Sequence, residues 1–119
     1  MTLESNLQLD FDWLRIRNEV KEMMGLAQVP DLQAILLLVG VNEVGTNIKE
    51  TYTKEEKRDF MHVAVCALLP EFYEFESFDS DGWPHFKQID AIPFAGVKEQ
   101  EQELKKRLIA YFDDKINNN

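Results

Sequence analysis

The chain has 119 residues, of which 45% are hydrophobic and 29% charged, and its 22 acidic and 13 basic residues give a formal net charge of -9. This composition is that of a globular protein, and it excludes disordered and fibrous classes. The acidic excess disfavours nucleic acid and anionic membrane surfaces as partners, because both carry negative charge. We expect one domain over residues 1–119, with 117–119 as a disordered tail.

The first two predicted helices differ in how much of their surface is apolar. Over residues 10–24, apolar side chains recur at helical spacing and indicate an amphipathic helix that ends at Gly25. The residues of this stripe are Trp13, Ile16, Val20 and Met23. The second helix, over 31–43, is apolar almost all round, which predicts a buried position. Its apolar run is far shorter than the roughly 20 residues of a spanning helix, so we expect no membrane segment.

A capping box marks the start of the third helix. The motif is Thr53-Lys54-Glu55-Glu56, in which the threonine and the glutamate three residues later each accept a hydrogen bond from the other's backbone N–H. The helix continues through residues 60–69, a block that is apolar except for His62. It is expected to stop before Pro70, because proline disfavours helical geometry in the residue that precedes it.

An aromatic hairpin is predicted between the third and fourth helices. The strands are expected at 72–78 and 84–92, with a turn over Asp79-Ser80-Asp81-Gly82. The last helix, over 98–115, places one apolar stripe at Val97, Leu104, Leu108, Tyr111 and Phe112. The expected fold is therefore mainly α, a four-helix bundle with a β-hairpin between helices 3 and 4, and α+β is the second choice.

The third helix carries the best candidates for chemistry. Asp59, His62 and Cys66 stand at i, i+3 and i+7, a spacing that puts three potential metal ligands on one side of a helix. Glu43 and His85 are the other donors that could join them. The structural alternative makes Cys66 a buried hydrophobe, and we favour it because the neighbours of Cys66 are apolar. We predict no catalytic set, no metal and no cofactor.

The aromatic density of the hairpin is the most unusual feature of the chain. Six aromatic residues fall within fifteen positions: Phe72, Tyr73, Phe75, Phe78, Trp83 and Phe86. A hairpin has two faces, and rings that do not cover the core form an exposed patch of the kind used for association. Two interpretations stay open: the rings only cover the helical core, or the outer ones bind a protein partner or a second copy of the chain in a homo-oligomer.

Two functional hypotheses follow from these residues. The first is a non-catalytic interaction or accessory protein that acts through the aromatic hairpin. The alternative is a metal-binding or small-ligand-binding protein that uses His62 and His85. We expect the chain to be cytoplasmic, because the N-terminus lacks a secretory pattern and Cys66 is the only cysteine.

Two segments resemble a small bacterial family with no assigned activity. They are Thr53-Lys54-Glu55-Glu56-Lys57-Arg58-Asp59-Phe60-Met61-His62-Val63-Ala64 and Asp81-Gly82-Trp83-Pro84-His85-Phe86. The resemblance covers only parts of the middle and later chain. It implies no reaction and no catalytic residues.

Overall fold

The computed structural model describes residues 3–117, which form four helices and one two-stranded antiparallel sheet. In chain order these are α1 (Leu3–Met24), α2 (Leu32–Val44), α3 (Lys54–Leu68), β1 (Tyr73–Phe78), β2 (Pro84–Gln88) and α4 (Val97–Asn117). The predicted fold class is confirmed: the protein is mainly helical, and its hairpin lies between the third and fourth helices. Among the described residues, no helix has the length and apolar character needed to cross a bilayer.

The contacts of the chain divide it into two units. One contains Met1–Leu32 and Phe94–Asn119, and the other contains Gln33–Pro93. The expectation of a single domain stays a prediction. Of the predicted tail, Asn117 is the last residue of α4, and 118–119 lie outside the described residues.

In the first unit, α1 packs against α4. The buried side chains of the two helices are Leu9, Trp13, Ile16, Val20, Leu108 and Phe112. The Arg15 guanidinium makes a two-pronged pair with the Asp113 carboxylate, with N–O distances of 3.0 and 3.2 Å. This pair raises the pKa of Arg15. Because both side chains are about one-third exposed, the pair contributes little energy and mainly sets the alignment of the helices.

Two residues of the predicted apolar stripes of α1 and α4 are exposed and not buried, so these two predictions were wrong. Met23 is 52% exposed, whereas Leu9, near the other end of α1 and not in the predicted stripe, is buried. Met23 lies in the last turn of α1 beside Ile116, where an open groove leaves it accessible to solvent. Val97 is 72% exposed, because it is the first residue of α4 and lies far from the buried Leu108 along the helix.

In the second unit, the backbones of α2 and α3 approach each other closely at Gly40. A Cβ atom built on Gly40 would lie 2.0 Å from the carbonyl oxygen of Phe60. The predicted capping box is present at the start of α3, and the helix ends at Leu68, before Pro70 as expected. Lys49 pairs with Glu56 and, with the capping bonds, lowers the pKa of that carboxyl.

The hairpin packs on α3, and its second strand is shorter than predicted. The backbone N–H of Ile89 still bonds to the Phe72 carbonyl, but the chain before Tyr73 turns back to Leu69. Residues 90–92 therefore have no continuing strand beside them, and β2 ends at Gln88.

We predict that Gly40→Ala destabilises the protein by at least about 2 kcal/mol, because the methyl group meets backbone rather than a movable side chain. Helix propensity alone predicts the opposite, a gain of up to about 1 kcal/mol. The measurement is denaturant unfolding followed by circular dichroism.

The matched control is Gly45→Ala, at a position with φ +87 and open space around the Cβ position. It loses only the left-handed preference, about 1–2 kcal/mol. A Gly40→Ala protein as stable as the wild type would contradict the close helix approach.

Candidate functional site

The six aromatic residues of the hairpin segment differ in exposure. Phe75 and Phe78 are 48% and 65% exposed, and the other four are half-buried. Two of the half-buried rings contact α3: Tyr73 packs edge-on against His62, and Trp83 packs against Phe60 with ring centroids 5.0 Å apart. One part of the aromatic segment thus covers α3, and another part lies in solvent.

A β-bulge brings three of these rings together. Phe75 pairs with Phe86 and Phe78 pairs with Pro84, and the register shifts between Phe75 and Ser77. Residues three apart on a regular strand point to opposite faces, but one inserted residue puts Phe78 on the same face as Phe75. The rings of Phe75 and Phe78 lie 4.8 Å apart, and those of Phe75 and Phe86 lie 6.1 Å apart. We call Phe75, Phe78 and Phe86 the hairpin patch.

The turn next to the hairpin patch is organised by Asp79. One carboxylate oxygen accepts hydrogen bonds from the backbone N–H groups of Asp81 and Trp83, each at 2.9 Å. The other oxygen lies 3.2 Å from Nε2 of His85. These bonds, led by the one from Trp83, hold the pKa of the Asp79 carboxyl below its usual value. Asp79 therefore ties the end of β1 to the start of β2.

Acidic side chains outnumber basic ones in the hairpin segment. Residues 71–88 contain five carboxylates and one lysine, Lys87, which pairs across the sheet with Glu74. The segment that carries the patch therefore has an excess of negative charge.

His62 and Cys66 meet at the junction of α3 and β1. Sγ of Cys66 lies 3.6 Å from Nε2 of His62, which is itself exposed at the surface. Cys66 is only 1% exposed, and burial raises the pKa of its thiol to about 11. Burial and the neighbouring Cys66 also raise the pKa of Tyr73. A protonated, buried thiol is a poor nucleophile, so this pair is unsuited to catalysis at neutral pH.

The other candidate donors have separate surroundings. Glu43 and Asp59 are exposed, and Asp59 lies 3.6 Å from the neighbouring Arg58. His85 pairs with Asp79, whereas His62 contacts Cys66. Among the side chains that the structure describes, no group of three or more His, Cys, Asp or Glu is placed to hold a metal ion.

An exposed stripe on α1 was missed by the sequence interpretation. Leu7, Phe11 and Leu14 are 59%, 68% and 52% exposed and follow one another at helical spacing. The predicted helix started at Asp10, so Leu7 was not seen as its first member. The signal was present, because i, i+4, i+7 is the spacing of an apolar helix face.

Comparisons of the chain with protein-family models, with curated proteins and with solved structures find no match. The resemblance of residues 53–64 and 81–86 to a bacterial family stays a prediction.

We predict that Cys66 is inert in the folded protein. At pH 8, a pKa of about 11 leaves about one thiol in a thousand ionised, and burial blocks the approach of a reagent. Ellman's reagent should give no absorbance within minutes at pH 8 and one equivalent in guanidinium chloride. Stoichiometric reaction of the folded protein within seconds would contradict this account of the thiol.

We predict that Asp79→Ala loosens the turn and Asp79→Asn largely preserves it, since the amide oxygen can still accept from Trp83 and Asp81. The measurement is amide hydrogen exchange at Trp83, which should speed up at least tenfold in the alanine variant only. In the wild type the carboxylate's contribution is complete above its ordinary pKa of 3.8 and lost as pH falls through the lowered value. Equal exchange rates in both variants would contradict the role of Asp79.

Proposed function

We propose that this chain is a non-catalytic interaction protein that binds another protein through the hairpin patch. The observation that supports this proposal most is the pair of adjacent, solvent-exposed rings at Phe75 and Phe78. Aromatic side chains that pack on each other keep a fixed shape, so they lose little conformational entropy when they bind. Such clustered rings are typical of the energetic centre of a protein interface.

The charge around the patch indicates the chemistry of the partner. Five carboxylates and one lysine lie within residues 71–88, so a partner with an apolar centre and a basic rim fits best. The same charges would repel a second acidic copy of this hairpin.

The hydrogen bonds of the Asp79 turn also support the proposal, because they order the loop beside the hairpin patch. Three hydrogen bonds to one carboxylate hold the loop between the strands, next to the pairing of Phe78 with Pro84. A surface prepared in this way binds without a large ordering cost.

A cytoplasmic location belongs to the same proposal. It is supported by the single cysteine, which is a buried free thiol in the structure.

We predict that peptides selected from a random display library against the immobilised protein combine aromatic or aliphatic residues with lysine or arginine. Their affinity should fall at least tenfold for Phe75→Ser/Phe78→Ser, because each buried ring contributes about 1–3 kcal/mol. The measurement is fluorescence anisotropy with labelled selected peptides. Affinity should also fall between low and high salt, because rim charges are screened.

The control variant is Ile48→Ser, which removes an apolar side chain of similar exposure, 53%, outside the hairpin. It should bind the peptides as the wild type does. Peptides that bind the double serine variant with unchanged affinity, or that carry no basic residues, would overturn the proposal.

A further inference from the structure

The α1 helix is apolar on two opposite sides. One side is buried with α4 and contains Leu9, Trp13, Ile16 and Val20. The opposite side carries Leu7, Phe11 and Leu14, each more than half exposed. We call these three residues the α1 stripe. The side of a surface helix that faces solvent usually carries polar residues. An apolar stripe on that side is therefore typical of an association surface.

The charges beside the α1 stripe differ from those of the hairpin. Over Leu3–Met24 there are five acidic and three basic residues, with both signs interspersed. Asp10 and Arg17 lie seven residues apart on the same flank of the stripe. Nε of Arg17 donates to the Pro30 carbonyl at 2.7 Å, which holds the guanidinium in place and leaves its terminal nitrogens to other partners.

An antiparallel partner helix of the same sequence would satisfy this pattern. In an antiparallel pair, the flank that carries Asp10 and Arg17 in one copy faces the same flank of the other copy. When Phe11 of one copy packs against Leu14 of the other, Asp10 of each copy therefore lies opposite Arg17 of the other copy. The pairing is self-complementary, so a two-fold axis forms two equivalent ion pairs. A parallel pair would instead oppose Asp10 to Arg15, which is already bound by Asp113 and Glu19.

We propose that a second copy of this chain docks on the α1 stripe, forming a two-fold dimer of antiparallel α1 helices. The occupant is identified by the apolar match of Phe11 with Leu14, made twice across the two-fold axis, and by the Asp10–Arg17 complementarity. The α1 stripe shares no residue with the hairpin patch, and the proposal does not depend on what the hairpin binds.

Sedimentation equilibrium tests the stoichiometry. The wild type should show twice the monomer mass of 13.9 kDa at high concentration. Phe11→Ser/Leu14→Ser should raise the dissociation constant about a hundredfold or more, because each lost side chain counts twice in a symmetric dimer. Met23→Ser, a control on the same helix with 52% exposure, and Phe75→Ser/Phe78→Ser should both leave the dimer intact.

Disulfide trapping tests the orientation without removing the apolar residues. Copies with Asp10→Cys are mixed with copies with Arg17→Cys, and the native Cys66 stays buried. Antiparallel docking predicts that a disulfide between an Asp10→Cys copy and an Arg17→Cys copy forms fast. Either variant oxidised alone should form its disulfide slowly, because positions 10 and 17 lie about 10 Å apart along the helix and equal positions therefore do not face each other.

Charge exchange supplies an independent measure. Asp10→Arg and Arg17→Asp should each weaken the dimer, and the double variant should restore it to within about tenfold of the wild type. A monomeric wild type at all concentrations would overturn the proposal. Mixed disulfides no faster than the single-variant ones, or a double variant weaker than both single ones, would overturn it equally.

Discussion

The β-bulge between Phe75 and Ser77 decides which side chains the hairpin presents to solvent. Without the inserted residue, the two-residue period of β1 would direct Phe78 to the face opposite Phe75. With it, the rings of Phe75 and Phe78 lie side by side, and the Phe75 ring also packs on Phe86. The proposed binding surface therefore depends on a backbone irregularity, and the Asp79 turn keeps the strands in the register that the irregularity requires.

The hairpin patch and the α1 stripe differ in the charge pattern around them, and this suggests different partners for them. Carboxylates dominate the hairpin segment, which favours a basic partner and disfavours self-association. Both signs occur along α1, which permits a copy of the same helix to pair with it. Burial keeps Cys66 protonated, so the His62–Cys66 contact reads as packing at the α3–β1 junction rather than as a reactive pair.

The sequence predicted the elements correctly where a short local motif marks the start, the end or the type of an element. The Thr53–Glu56 box and Pro70 mark the ends of α3, and the six aromatics mark the hairpin. The bulge was not predictable, because alternation assigns faces only while no residue is inserted. Periodicity likewise shows two apolar stripes on α1 but not which one is covered. Among the described side chains, the candidate metal ligands do not form a group of three or more. Helical spacing puts Asp59, His62 and Cys66 on one side of α3, but it says nothing about whether donors from other elements lie nearby.

The central claim is that the bulge holds Phe75 and Phe78 on one face of the hairpin. It is tested most directly by nuclear Overhauser effects between the ring protons of these two residues in solution. The structure predicts strong cross-peaks, because the ring centroids lie 4.8 Å apart. A Phe78 ring with cross-peaks to Glu74 and Lys87 on the opposite face, and none to Phe75, would contradict the account.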